Sequence, residues 1–347
     1  MDAKDATVLK KSVEGKTVPI VDITPFTTTG YSPEVKKHVA TELASKASID
    51  GCVGISGHGV PDEVVATAFV MTKKLFELPF EEKMKAPHPD APVPHRGYSG
   101  TGRENAARKT ETEDWDGSAK KADYEKLTDY KESYEIGSES NEVNYNIWLP
   151  EQAFPGFRTW GLELYWRLHE TAMSILEALM MSLELAEDEM EEVRALHTGH
   201  DHQLRLLHYP PIEEVLRKDK HTSRLGAHTD WSQFTLLFQD EHGGLQFLNR
   251  STGEFIDAVP MEGVLYMNIG DMFQRISNGF YPSALHRVII KNPHASRYSI
   301  PFFVPPNSDG IIRPQPSRVE KDGEEKYEVV TFREYSRKAF ESMNVYN

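Results

Sequence analysis

Hydrophobic positions along the chain follow two rhythms. Before residue 200 the main apolar segments keep helical spacing, and after it they fall into short, β-rich runs. TVPIVDI (17–23) predicts a short strand closed by Thr24-Pro25. SPEVKKHVATELASKASIDG (32–51) predicts an amphipathic helix with Ser32 as N-cap, Pro33 at its first position and Gly51 as terminator. CVGISGHGV (52–60) follows as a strand and turn, and residues 61–79 as a second helix between Pro61 and Pro79. Residues 155–187 hold the strongest helical period, with Met173, Met180 and Met181 as core filler. Beyond residue 200, QLRLLHYP, FTLLFQD, LQFLN, FIDAVP, VLYMNIG, ALHRVIIK and RYSIPFFV are candidate strands. Turn signals such as DEHGG and SNG separate them. Many short strands without alternating helices predict an antiparallel sandwich or barrel, not a doubly wound sheet.

Between residues 84 and 148 the pattern fades into Pro, Gly and charge, which predicts a lid over a site or a disordered loop. Arg96, Tyr98 and Arg103 are lid candidates there. The expected organisation is one structural unit in two parts. An N-terminal helical and strand region with the lid-like segment covers 1–150, and the catalytic core with its long supporting helix covers 151–347.

Composition narrows the function. With 39 Lys plus Arg against 54 Asp plus Glu, the net charge is −15, which argues against nucleic acid or an anionic membrane surface as partner. Cys52 is the only cysteine, so no intrachain disulfide can form. The N-terminus lacks a signal-peptide core, and no apolar run approaches the ~18 residues of a membrane span. A cytoplasmic enzyme or binding protein is expected, with a small molecule as partner and no protein partner implied.

The candidate chemistry lies in LGAHTDWSQF (225–234). His228 and Asp230 share parity, so in extended chain both point to one face. Taken alone, the pair reads better as a hydrogen-bonded pair at a strand end. His286, in PSALHRVII, is the best third ligand and is expected on a facing strand. Two imidazoles and one carboxylate would leave metal positions open, as in the facial triad of non-haem iron sites. In RYSIPFF, Arg297, Ser299 and Phe303 share a face, and a guanidinium beside a hydroxyl suits a carboxylate. Arg205, Leu207 and Tyr209 share a face upstream, where Tyr209 is either a third anchor or a half-buried strand tyrosine.

HTD…H…RxS, with YPP upstream, NIGD (268–271) and SNG before SALHRV, resembles the isopenicillin N synthase-like family of Fe(II)/2-oxoglutarate dioxygenases. RGYSGTGRE, DYKESYEIG and HTDWSQFTLLFQDEHGGLQ are most similar to its fungal thymine 7-hydroxylase-like branch, which oxidises methyl groups or rings. The resemblance implies a distorted double-stranded β-helix (jelly roll) with flanking helices. It implies Fe(II) on His228, Asp230 and His286, 2-oxoglutarate on Arg297, Ser299 and Tyr209, O2 as oxidant, and admits ascorbate. Hydroxylation, desaturation or ring rearrangement of a secondary metabolite would follow, with succinate and CO2 as co-products. Some relatives carry Asn where this chain has Leu207. Family oxidases that do without 2-oxoglutarate keep RxS as well, so an O2-dependent oxidase is the alternative, and a non-enzymatic binding module a second one.

For the substrate, Trp231 and Phe303 would flank a planar ring and Arg205 would hold one of its oxygens, against a reading of both aromatics as core packing. HTGHDH (197–202) offers three histidines and an aspartate but no distant partner, and reads as a solvated turn. GTGRE (100–104) lacks the spacing of a phosphate loop.

Overall fold

The computed structural model describes residues 17–90, 95–103, 128–141, 143–212 and 222–343. Helix α1 (Pro33–Asp50) starts where expected: the Ser32 hydroxyl accepts from Val35 N, and Gly51 ends the helix at φ 74°. Helix α2 (Asp62–Glu77) follows. The long apolar-periodic stretch forms α3 (Phe157–Leu183), which ends where Glu184 turns left-handed, and a short helix α4 (Glu187–Ala195) follows it. Met180 is buried and Met173 packs on the core. Thr24-Pro25 does not close a strand into a loop, because Thr24–Thr27 forms a helical turn.

The strands are β1 (Ile20–Asp22), β2 (Cys52–Ser56), β3 (Gly97–Ser99), β4 (Thr128–Asp129), β5 (Glu132–Ile136), β6 (Gln203–Tyr209) and β7 (Thr222–Ser223). They continue as β8 (Leu225–His228), β9 (Phe234–Gln239), β10 (Leu245–Asn249), β11 (Glu254–Asp257), β12 (Leu265–Ile269), β13 (His286–Val288) and β14 (Arg297–Val304). A large sheet runs β1-β2-β12-β9-β14-β6-β5-β3, and a smaller one runs β11-β10-β13-β8. One buried cluster joins Cys52, Leu207, Tyr209 and Tyr266 of the large sheet to Leu245, Phe247 and Val288 of the small one. The two sheets therefore face each other as in a jelly roll. Period-two alternation sorts the large sheet. Leu204, Leu206, Leu236, Phe238, Ile300 and Phe302 join the helices in the main core, while Arg205, Leu207, Tyr209, Arg297 and Ser299 have the opposite parity and line the interior between the sheets.

Residues 84–148 are not simply a lid. They contain β3 and β5, and β5 is buried along its length. Its charges hid it from the strand pattern, yet each carboxylate is compensated. Glu132 accepts from Lys83 Nζ at 2.8 Å, Tyr98 OH at 2.5 Å and His208 Nδ1 at 2.7 Å, and Glu135 lies 2.8 Å from Arg205 Nε. Tyr98 and Arg96 are buried, Arg96 donating from Nη1 to His95 O at 2.8 Å and to Gln203 Oε1 at 3.2 Å, so neither is an exposed lid residue. Arg103 ties its loop down by donating to the carbonyls of His88 and Pro89 at 2.8 and 2.7 Å. Residues 91–94, 104–127 and 142 of the expected lid lie outside the described residues. HTGHDH is no solvated turn either: His197 and His202 are buried and joined at 2.9 Å, Nδ1 to Nε2. Neutral imidazoles can satisfy one another, which makes a polar-looking stretch buriable.

Candidate metal centre

β8 ends at His228 and β13 opens at His286, and the two residues are directly paired across adjacent antiparallel strands. The third ligand candidate is thus a neighbour in the same sheet, not on a facing one. The imidazole centroids lie 4.3 Å apart. His228 Nδ1 donates to Gly226 O at 2.8 Å and His286 Nδ1 to Ala284 O at 3.1 Å. Each bond fixes the tautomer that leaves Nε2 bare for a metal. Asp230 lies past the end of β8. Its carboxylate oxygens sit 3.8 Å from His228 Nε2 and 3.9 Å from His286 Nε2. One ligand atom from each residue falls within 4.8 Å of the others, and among the described residues this is the one such group.

Asp230 is aimed by the large sheet. Its Oδ2 accepts from Thr235 Oγ1 of β9 at 2.6 Å and from Asn268 Nδ2 of β12 at 2.8 Å. Its backbone carbonyl accepts from Asp271 N at 2.8 Å. Gly270 permits this approach, since a Cβ there would stand 2.1 Å from Ser232 O. Burial pushes the Asp230 carboxyl up. The positive charge that His286 and His228 carry when protonated in the metal-free site, with the two hydrogen bonds, outweighs it and holds the group well below the usual carboxylate range. An anionic oxygen beside two bare imidazole nitrogens, with room for further ligands, is a donor set that fits ferrous iron.

A second group lies deeper between the sheets. Arg297 is buried, donating from Nε to Gly243 O at 2.5 Å, from Nη1 to Ser299 Oγ at 3.1 Å and from Nη2 to Gln239 Oε1 at 3.3 Å. Its guanidinium carbon stands 4.9 Å from the Tyr209 ring centroid, and Tyr209 pairs with Arg297 across β6 and β14. The three expected anchors are thus together. The Arg205 guanidinium lies 5.5 Å from the Phe303 ring centroid and keeps Glu135 as counter-ion. Trp231 follows Asp230 and is half-buried. Exposure falls along this inner face. Gln203, Arg205 and Phe303 are half-buried, whereas Leu207, Tyr209, Ser299 and Arg297 are closed off. The interior is therefore open at the Arg205 end and sealed at the Arg297 end.

Thr235, Asn268, Gln239, Gly243 and Glu135 were not singled out from sequence. NIGD flagged Asn268 as part of a motif without giving its role. The shared parity of Thr235 and Phe303 across β9 and β14 emerges only once strands are paired.

A jelly roll that brings two histidines and an aspartate together at one end defines a non-haem iron oxygenase. Residues 200–306 match the model of the 2OG-Fe(II) oxygenase superfamily, and residues 18–151 match that of the non-haem dioxygenase in morphine synthesis N-terminal region. A 2-oxoglutarate-Fe(II) type oxidoreductase of Metarhizium rileyi is 32% identical over 301 residues, covering 83% of this chain and 80% of that protein. A proline hydroxylase of Petromyces alliaceus is 32% identical over 305 residues, covering 85% and 90%. Full-length Neurospora crassa thymine 7-hydroxylase (T7H), solved with α-ketoglutarate, superposes with a TM-score of 0.81 at 29% identity, covering 95% of this chain and 98% of that one. The chain belongs to the 2OG-Fe(II) oxygenase superfamily. It is an Fe(II)/2-oxoglutarate-dependent dioxygenase that uses O2.

Proposed function

We propose that His228, Asp230 and His286 hold the iron, and that Arg297, Ser299 and Tyr209 hold the far carboxylate of 2-oxoglutarate at the sealed end of the interior. Trp231, Phe303 and Arg205 receive a small planar substrate at the open end. The gradient of exposure along β6 and β14 carries this reading, because it sets Arg297, Ser299 and Tyr209 in a closed anion pocket and Arg205 and Phe303 at an accessible mouth. With both bound, iron and 2-oxoglutarate supply O2 activation, with succinate and CO2 as co-products. The chain's residues position the substrate C–H and exclude water. Arg205 already carries Glu135 as partner at 2.8 Å, so it serves a neutral carbonyl of the substrate better than a carboxylate. Proteins similar to this one include T7H solved with thymine, a planar ring with carbonyl oxygens, which supports the same choice. Residues 1–150 and 151–347 act as one structural unit, because β1, β2, β3 and β5 complete the large sheet. The single cysteine suits a reducing compartment, and we place the enzyme in the cytoplasm. No helix among the described residues is long and apolar enough to cross a membrane.

The test is a panel of planar heterocyclic carbonyl compounds, scored by succinate release with ascorbate present. Trp231→Ala should raise the KM of the accepted compound at least tenfold and leave iron and 2-oxoglutarate binding unchanged. Turnover without 2-oxoglutarate would overturn the pocket assignment. An unchanged KM would remove Trp231 from the substrate site.

A further inference from the structure

The sealed end of the interior contains a second arginine. Arg224, in the turn between β7 and β8, is buried. Its Nη2 donates to the carbonyls of Asn292 at 3.1 Å and Ala295 at 2.9 Å, and its Nη1 to Tyr209 O at 3.5 Å. Its guanidinium carbon stands 5.8 Å from the centroid of the same Tyr209 ring that Arg297 approaches to 4.9 Å. Among the described residues its Nε has no hydrogen-bond acceptor.

The charges here do not balance. Asp240 is the carboxylate that acts on both guanidiniums. It is already committed to backbone donors, Tyr298 N at 2.5 Å and His242 N at 3.1 Å. Two buried cations against one half-buried carboxylate leave an excess positive charge around the Tyr209 ring, in a chain whose net charge is −15. Burial first, then the like charge of Arg297, lowers the Arg224 group to about 10, so it stays protonated at neutral pH. A buried cation of this kind is costly unless an anion completes the site.

We infer that Arg224 is a positioning residue for the far carboxylate of 2-oxoglutarate. It braces Tyr209 and the 292–295 loop that leads into Arg297, and it supplies the second positive charge that makes the pocket select a dianionic 2-oxo acid. This rests on the assignment of Arg297, Ser299 and Tyr209 to that carboxylate. A brace alone would be indifferent to the charge of the ligand, whereas a charge role would not.

The experiment compares two ligands under anaerobic Fe(II), using the visible charge-transfer band of the complex to obtain dissociation constants. One is 2-oxoglutarate and the other 2-oxopentanoate, which has a methyl group in place of the far carboxylate. In the Arg224→Met variant the preference for 2-oxoglutarate should shrink by about tenfold or more, because only the dianion loses an attraction. In Arg224→Lys the preference should stay near that of the wild type, since the charge is kept. Arg297→Leu serves as the reference for the pocket itself. A preference that collapses in Arg297→Leu but is unchanged in Arg224→Met overturns this inference alone. A preference unchanged in both overturns the pocket assignment with it. If Arg224→Met does not fold, Arg224→Gln, neutral but still able to donate to the carbonyls, takes its place: a preference that shrinks by a similar factor supports the charge role, and one that stays at the wild-type value overturns it.

Discussion

The carboxylate of Asp230 takes its aim from Thr235 and Asn268, which belong to the sheet opposite the two histidines. Iron affinity is thereby coupled to how the two sheets meet. Replacing His228, Asp230 or His286 by Ala is expected to abolish turnover with the fold intact, since each removes one of the proposed ligands. Thr235→Val and Asn268→Ala leave all three proposed ligands in place and test the aim alone. Loss of such supporting bonds weakens metal sites by about 10–100-fold. Anaerobic Fe(II) titration should show that loss in Asn268→Ala with little change in melting temperature. Wild-type affinity in both variants would remove the two residues from the site. At this scale the sequence was informative wherever parity was enough: Arg297 with Ser299, and Arg205 with Tyr209. It was silent on Thr235 and Asn268, because their role depends on cross-strand register, which single-strand patterns do not contain.

Among the elements, β5 shows why charge conceals a strand. Its Glu132 and Glu135 break the apolar alternation, and only the pairing of β5 with β6 reveals that His208 and Arg205 stand opposite them. The buried Lys83–Glu132 pair links the turn after α2 to β5, while Tyr98 and His208 bring in β3 and β6. Removing one partner of a buried ion pair leaves the other charge uncompensated, at a cost of about 3–5 kcal/mol. Glu132→Ala is therefore expected to lose stability on that order by urea denaturation. A loss under ~1 kcal/mol would mean that Lys83 reaches solvent instead. The helices and the strands after residue 200 were legible because caps, turn residues and apolar periods agreed. The strands within 84–148 were not, because their burial depends on partners distant in sequence.

Across the whole molecule, the long helix α3 is fastened to the large sheet by a histidine cluster, of which His197, His200 and His202 read as a solvated turn from sequence. His202, just before β6, joins His197 after α4 at 2.9 Å and His169 of α3 at 3.1 Å, with His200 beside them. Asp201 does not serve as their counter-charge, as its carboxylate accepts from Asn141 and from Ser308 N. Burial, with the neighbouring imidazoles adding to it, lowers His169 and His197 to about 4 and His202 well below its ordinary value. Each ring–ring bond needs one bare nitrogen, so protonating adjacent rings would set N–H against N–H. The direction of the pH effect follows. Between pH 6.5, the ordinary histidine value, and about 4, the unfolded chain takes up protons that the folded chain refuses. Stability from these residues is complete above pH 6.5 and is lost as pH falls toward 4. His197 contributes about 2 kcal/mol of that loss between pH 6.5 and 4.5, and the more exposed His169 contributes less. Asp230 works in a separate window. Its lowered carboxyl costs stability only as pH falls below the ordinary value of 3.8. Urea midpoints of the metal-free protein at pH 7.5, 6.5, 5.5 and 4.5 should therefore be flat and then decline, and His197→Gln, neutral throughout, should decline less steeply. Parallel slopes in the two proteins would show that acid destabilisation arises elsewhere and that these histidines stay neutral without energetic consequence.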